Sequence, residues 1–183
     1  GVCYVALGEV DYRSACQSLV SLRRVEPDLH ATILADQVYP LPANFKNDSV
    51  DLKPIRTDEA AQFSVQTQLP LYVEYEKCLV LEPGVRILRP ISHIFDFLKA
   101  FDLCLACDRR GVLREANHLS SEDRALTFEV CPDSSLFYAP GVMCWRRTDA
   151  VLEFYSTWHE EWKKLEQHLE GALARAIWKQ PAK

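Results

Sequence analysis

Cys104 and Cys107 stand three positions apart, the Cys-x-x-Cys spacing of thiol-redox pairs and of half a zinc site. A redox pair works when a helix N-terminus stabilises one thiolate, but here both cysteines fall within an apolar, strand-like run. No second pair in the sequence would complete a zinc site. We therefore favour two packed cysteines. A thiol-redox module is kept as an alternative, and it requires thiols that ionise below the ordinary pKa of about 8.5.

Acidic residues that are close in sequence can bind Mg²⁺ or Mn²⁺, or can divide the roles of acid and base. The sequence has three such pairs, which are Glu9 with Asp11, Glu74 with Glu76, and Glu122 with Asp123. Helix capping or exposed turns explain all three pairs more simply. No two aspartates are separated by a single residue, so the sequence contains no Asp-x-Asp motif.

Other standard catalytic signatures are missing from the sequence. It contains no glycine-rich phosphate-binding loop, no His-Glu-x-x-His and no Gly-x-Ser-x-Gly. With only 6 glycines, backbone cradles for phosphate are scarce, and the 5 histidines show no metal-ligand spacing. We interpret each histidine as a surface or core residue.

The composition is that of a globular protein, with 48% apolar and 26% charged residues over 183 residues. We expect one domain, residues 1–183. A formal net charge of −5 argues against nucleic acid or an anionic membrane as partner, and no apolar run approaches the roughly 18–20 residues of a membrane span. The 7 cysteines, an odd number and mostly within apolar runs, predict free thiols in a reducing, intracellular compartment.

Short apolar runs alternate with helical patterns, which predicts an α/β fold. Strands are expected at Val2–Leu7, Ala31–Leu34, Val50–Leu52, Cys78–Leu81, Leu103–Cys107, Leu126–Val130 and Val142–Trp145. Five helices are expected. The first is capped by Asp11 and ends before Pro27, the second spans Asp58–Leu69 and is ended by Pro70, and the third runs from a Ser92 cap to Leu98. Thr148 begins the longest helix, and the last one contains Leu169, Leu173 and Ile177. Tyr155, Trp158 and Trp162 at helical spacing predict that the Thr148 helix packs across the sheet.

Three segments follow one another in a familiar order. They are Tyr4–Tyr12 with the helix and strand up to Asp36, Tyr75–Leu88 with the pieces up to Asp108, and Tyr138–Arg147 with the tryptophan-bearing helix and Gly171–Ile177. Together they span nearly the whole chain, and they resemble the nucleotide-sugar glycosyltransferases of family 8, the group that includes glycogenin. The resemblance implies a single-domain GT-A-like (Rossmann-like) fold, with a mixed, mostly parallel sheet flanked by helices. Ligands in such folds bind beside the carboxyl ends of the strands.

In that family, an Asp-x-Asp motif holds a divalent cation, usually Mn²⁺, which takes up the charge of the leaving diphosphate. The resemblance places the two aspartates on Glu82 and Gly84, and glycine has no side-chain oxygen to offer a hard cation. Tyr12 matches the aromatic residue that packs on the nucleotide base, although an amphipathic residue at a helix start is the simpler interpretation. The family's lysine, asparagine and Asp-Gln positions fall on Gln66, Ala139, Leu169 and Glu170.

By this resemblance, the chain keeps the residues that support the family's fold, while the residues that contact the metal, the phosphate and the sugar in the family are all replaced. We expect a pseudoenzyme without catalytic residues, metal or cofactor, which acts as a structural or accessory protein-binding subunit and has other protein subunits as partners. The alternative is an active, metal-independent glycosyltransferase that takes a UDP-sugar. In that case arginines such as Arg86 and Arg109 would grip the diphosphate, with Tyr12, Glu82 and Gly84 beside the nucleotide.

Overall fold

The structure, a computed structural model, describes residues 1–37, 39–41, 45, 49–55, 64–166 and 168–180. Its elements in chain order are β1 (Val2–Ala6), α1 (Gly8–Val25), β2 (Ala31–Ala35), β3 (Val50–Pro54), α2 (Ser64–Thr67), α3 (Leu69–Tyr72), β4 (Lys77–Leu81), a 3₁₀ helix (Ser92–Lys99), β5 (Leu103–Val112), a 3₁₀ turn (Leu113–Glu115), α4 (Ser121–Val130), β6 (Leu136–Arg146), α5 (Asp149–Lys163) and α6 (Leu169–Lys179). None of these helices has the length and apolar character needed to cross a bilayer.

The strands form a six-stranded sheet in the order β3-β2-β1-β4-β6-β5. The first four strands run parallel to one another, and β6 runs antiparallel to both β4 and β5. The sheet is therefore mixed and mostly parallel, as the sequence predicts. The carboxyl ends of β1 to β4 meet at one edge, which is where open α/β sheets bind ligands.

Apolar layers cover both faces of the sheet. On one face, α1 directs Ala15, Leu19 and Leu22 onto β1 and β2. On the other face, α5 contributes the fully buried Trp158 and the nearly buried Trp162. Both lie in one apolar cluster with residues of α6, β4 and β6. Burying an aromatic side chain removes 150–250 Å² or so from water, so α5 anchors its whole layer, as its spacing predicts.

The strand predictions are confirmed except at 126–130. Those residues belong to α4, which is capped by Ser120 because its hydroxyl accepts a hydrogen bond from the Asp123 amide at 3.2 Å. The alternation of Leu126, Phe128 and Val130 with polar residues is a strand pattern, but over only five residues it is weak, and the cap at Ser120 decides for a helix. The other strands begin or end one to six residues from their predicted bounds.

Several helix boundaries also differ from the prediction. Helix α1 begins at Gly8 rather than after Asp11, and with 18 residues it is longer than α5. Pro70 lies inside α3 rather than ending a helix, while positions 58–63 of the predicted Asp58–Leu69 helix lie outside the described residues. The 3₁₀ helix is held not by a Ser92 cap but by Glu26, whose carboxylate accepts hydrogen bonds from the amides of Ile91 and Ser92, both at 3.0 Å.

Candidate functional site

The carboxyl ends of β1 and β2 are tied together by a side chain. Asp36, which follows β2, accepts a hydrogen bond at 2.9 Å from the amide of Gly8, the first residue of α1. This amide is one of the free donors at the start of a helix, and a carboxylate there also complements the helix dipole. Asp36 is thus committed to positioning α1 at the edge of the sheet where a ligand is expected.

Tyr12 lies one turn into α1 and is only 4% exposed. Its ring stacks on the ring of Tyr39, with centroids 4.6 Å apart and planes inclined by 26°. Its hydroxyl donates to the backbone oxygens of Tyr39 and Pro40, at 3.4 and 3.3 Å. Burial raises the pKa of this hydroxyl well above its ordinary value, so it stays a donor throughout the physiological range. The protein's own loop therefore occupies one face of the ring and the hydroxyl.

Glu82 directly follows β4 and is exposed. Its amide donates to the Gly141 oxygen at 2.7 Å, and a Cβ atom added at Gly141 would lie 2.6 Å from Oε2 of Glu82. The missing side chain at Gly141 thus makes room for the carboxylate. Gly84 has a φ of +91° and completes the turn, in which the Val85 amide donates to the Glu82 oxygen at 3.2 Å.

Arg86 lies in a cleft along α1 rather than at the edge of the sheet. The cleft has a volume of about 290 Å³, and Arg24, Gly84 and Gln17 also line it. Two α1 hydroxyls hold the chain here: Ser18 donates to the Val85 oxygen at 2.5 Å, and Ser21 accepts from the Ile87 amide at 2.8 Å. The cleft lining includes two guanidinium groups and no carboxylate.

Arg109 is set apart from the other predicted site residues. It lies in β5, the edge strand beyond β6, in the stretch where the pairing of β5 with β6 changes register between Cys107 and Val112. The neighbouring Asp108 is engaged by Arg110, whose amide and guanidinium both donate to it. The structure thus places Glu82 and Gly84 in one turn, Arg86 just after it in the cleft along α1, and Tyr12 on α1. Among the described residues, no contact joins Arg109 to them.

The turn at 82–84 does not match what a divalent cation requires. Mg²⁺, Mn²⁺ and Ca²⁺ take six or more oxygen ligands, and this turn supplies one carboxylate, that of Glu82. Within the described ranges, no three His, Cys, Asp or Glu side chains come close enough together to hold a metal ion. The donor set present here does not fit Mn²⁺.

The strand order, the parallel pairing of β1 to β4 and the position of α1 decide the comparison with known folds. The fold is similar to that of the galactosyltransferase LgtC. A crystal structure of LgtC in complex with donor and acceptor sugar analogues matches with a TM-score of 0.67 and 15% identity, covering 97% of this chain and 70% of that one. An active-site glutamine-to-glutamate mutant of LgtC matches with a TM-score of 0.70 and 14% identity, covering 97% and 69%. No protein-family model and no curated protein matches the chain.

At this identity the similarity to LgtC establishes the GT-A-like fold, which the sequence predicts. The remaining positions that the family resemblance singles out lie in different places. Gln66 belongs to α2, and Ala139 pairs with Ala106 inside the sheet. Leu169 is buried beneath α5, where its backbone oxygen accepts a hydrogen bond from Nε1 of Trp158 at 3.2 Å. Leu169 thus fills the apolar layer.

The Cys-x-x-Cys pair lies in β5, as predicted. Cys104 is half-buried and stands opposite Cys144, whereas Cys107 is exposed, and both thiols are free. Burial raises the pKa of Cys104, the opposite of what a reactive thiolate requires. The geometry therefore agrees with the prediction of packed cysteines at Cys104 but not at the exposed Cys107, and it gives no support to a redox pair.

Sequence reasoning missed two residues of the site. Tyr39 lies between the expected strands Ala31–Leu34 and Val50–Leu52, where no periodicity assigns it a neighbour. Arg24 is one of a basic pair at a helix end, which usually means a solvated position. The only available signal was an aromatic residue in a proline-containing loop after the second strand.

Proposed function

We propose that this GT-A-like protein transfers no sugar and serves as a structural or accessory protein-binding subunit. The observation that carries the proposal is the stack of Tyr39 on Tyr12. Tyr12 is the residue that, by resemblance, would pack on the nucleotide base, and here a side chain of the protein lies on its ring. A base would have to displace Tyr39 and break contacts of the Tyr12 hydroxyl.

The diphosphate end of the site supports the same conclusion. A leaving diphosphate needs a cation or fixed dipoles to take up its charge. Glu82 brings a negative charge to this place and Gly84 brings no ligand at all. Each charge-assisted contact that is lost removes about 1.5–3 kcal/mol, so several losses together leave negligible affinity for a nucleotide-sugar.

Protein partners and a reducing compartment belong to this proposal. All seven cysteines are free, and five of them are buried, which suits an environment that keeps thiols reduced. The formal charge of −5 disfavours nucleic acid as the partner. Other protein subunits remain the partner class that we propose.

The Arg24–Arg86 cleft favours a second candidate function, a metal-independent glycosyltransferase using a UDP-sugar. Arginine binds phosphate oxygens through two parallel hydrogen bonds, and two arginines can replace part of a cation's charge. Because both guanidinium groups line one cleft without a carboxylate, a phosphate there would meet no repulsion from the lining.

Thermal unfolding with UDP, UDP-glucose and UDP-galactose, each with Mn²⁺ and with EDTA, separates the two functions. A ligand at about a hundred times its Kd adds about 2.7 kcal/mol to stability, which such an assay resolves easily. We expect no shift in melting temperature at millimolar nucleotide and no transfer of labelled sugar.

Stabilisation by UDP that persists in EDTA would support the second candidate instead. It should then be lost in Arg86→Ala or Arg24→Ala, which line the cleft, and retained in Arg109→Ala and Arg114→Ala, which lie in β5 and the 3₁₀ turn outside it. Stabilisation that depends on Mn²⁺ would contradict both functions.

A further inference from the structure

An unfilled groove runs along the chain segment that follows Gly84. Its volume is about 500 Å³, and it lies between residues 85–94 and the strands β4 and β6. The floor consists of buried side chains of the sheet, among them Leu79 and Leu81, and the walls are apolar as well, with Leu88 and Ile94. A cavity of this size and lining is typical of a binding groove rather than of a packing defect.

Apolar side chains at the edge of this groove face solvent. Leu88 is 74% exposed although it lines the groove. In a 3₁₀ helix, residues three apart share a face, so the exposed Phe97 continues the row begun by Ile91 and Ile94. Contiguous exposed apolar surface of this kind marks an interaction site.

The charged side chains that line the groove, among the described residues, are the basic Arg86 and Arg89. The carboxylate of Glu26 lies next to the groove but is held by the amides of Ile91 and Ser92. In the described part of the chain, neither Arg86 nor Arg89 forms a hydrogen bond or ion pair, whereas Arg110, Arg146 and Arg175 each have a carboxylate partner. This basic border contrasts with a chain that has 26 acidic and 21 basic residues overall. Such a local reversal of charge selects acidic partners.

We propose that this groove docks an acidic amphipathic segment of a partner protein. Apolar side chains of the segment fill the space over Leu79 and Leu81, and its carboxylates pair with Arg86 and Arg89. An amphipathic helix fits because its apolar side chains recur at three- and four-residue intervals, and its acidic side chains occupy the other face. The inference rests on the proposed function, since it names the class of partner that a protein-binding subunit would take.

Three synthetic peptides of about fifteen residues test this docking by fluorescence anisotropy. The first has leucine at helical spacing and glutamate elsewhere, the second has lysine in place of every glutamate, and the third has serine in place of every leucine. We expect the leucine–glutamate peptide to bind at least about tenfold more tightly than either of the others, a difference of about 1.4 kcal/mol. Its affinity should fall as salt is raised.

Matched variants locate the binding. Leu88→Ser should weaken the leucine–glutamate peptide severalfold, and Leu71→Ser, at a site 77% exposed on α3, should not. Arg86→Glu/Arg89→Glu should weaken it at least about tenfold, while Arg109→Glu/Arg114→Glu, which changes the net charge equally, should leave it unchanged. Because all six positions are exposed, circular dichroism and melting temperature should show that every variant folds.

Equal binding of the lysine and glutamate peptides, or equal effects of the two double variants, would overturn the proposal. Tight binding to vesicles containing phosphatidylserine with no preference among the peptides would also overturn it, because the groove would then face a lipid surface. The peptide experiments are carried out without nucleotide. They therefore test docking alone, whereas a failure of the proposed function would be detected in the experiments with UDP.

Discussion

Tyr39 stacks on Tyr12, the residue that by resemblance would pack on a nucleotide base. Stacked aromatic pairs add about 0.5–1.5 kcal/mol beyond the area that they bury. We therefore expect Tyr39→Ala to lower the free energy of unfolding by about 1–2 kcal/mol in urea titrations. Tyr39→Phe keeps the ring and should behave like the wild type. An unchanged stability in Tyr39→Ala would mean that the stack contributes nothing, and the argument from Tyr12 would lose its basis.

Gly84 shows why an Asp-x-Asp motif cannot simply be restored at this turn. Its φ of +91° is a left-handed conformation that costs a residue with a side chain about 1–2 kcal/mol. Space is not the obstacle, because an added Cβ would have only Ser14 Cβ near it, at 3.9 Å. We expect Gly84→Asp to lose about that much stability in urea titrations, and Glu82→Asp to change it by less than about 0.5 kcal/mol.

The double variant Glu82→Asp/Gly84→Asp extends this prediction to function. We expect it to show neither Mn²⁺-dependent stabilisation by UDP nor sugar transfer, because the Tyr39–Tyr12 stack and the other replaced positions, such as Gln66 and Ala139, stay as they are. Transfer by this variant at ordinary enzyme rates would show that the rest of the catalytic site is intact, contrary to the proposed function.

A buried charge network joins three helices at the element scale. Arg175 of α6 is 1% exposed and donates to Asp123 and Thr127 of α4 at 2.6 Å, and to Glu161 of α5 at 3.0 Å. Removing one member of a buried pair costs about 3–5 kcal/mol because the partner charge stays buried. We expect this loss for Arg175→Met, with partial recovery in Arg175→Met/Asp123→Asn, both measured by urea unfolding. A double variant no more stable than the single one would show that Asp123 is not left with an unpaired charge.

The same network makes stability depend on pH through Glu161. Burial opposes ionisation of this carboxyl, but its hydrogen bonds with Lys164 and Lys179 outweigh burial and hold its pKa below the ordinary value. A lowered folded pKa contributes stability that is complete above the ordinary value of about 4.3 and is lost as the pH falls through the lowered value. Glu161→Gln should therefore be less stable than the wild type at neutral pH, and the gap should narrow in urea titrations at acid pH. If the difference in stability between the wild type and Glu161→Gln did not change with pH, it would not come from the ionised Glu161 carboxylate.

Most helices and strands were predicted from local sequence patterns, because these elements depend on the periodicity of apolar residues. Boundaries were missed where a distant residue decides them. Asp36, at the end of β2, accepts from the amide of Gly8 where α1 begins, and Glu26, at the end of α1, caps the 3₁₀ helix. Asp123, interpreted from sequence as a cap or an exposed turn, is instead buried against Arg175, since nothing local pairs residues 52 positions apart. The same limit applies to the candidate site: the resemblance pointed to Glu82 and Gly84, but no periodicity or motif in the sequence pointed to Tyr39 or Arg24.

At the scale of the whole molecule, one sheet serves two apolar layers. β1 directs Cys3 into the layer under α5 and Tyr4 into the layer under α1, and β4 does the same with Val80 and Leu79. Neither layer can lose its packing without disturbing strands that the other requires. This shared sheet supports our proposal that residues 1–183 form a single domain.

Cooperative unfolding tests that proposal. Three of the four tryptophans, Trp145, Trp158 and Trp162, are buried in the α5 layer, and Trp178 is 53% exposed. In Trp178→Phe, fluorescence therefore reports on one layer, while far-UV circular dichroism also reports on α1 in the other. We expect both signals to give the same midpoint in urea, because a two-state domain loses all its structure together. Separate midpoints would show that the layers unfold independently. The α1 layer, which carries Tyr12, the arginine cleft and the groove, could then open without disturbing the tryptophans, and its contacts would no longer define a fixed docking surface.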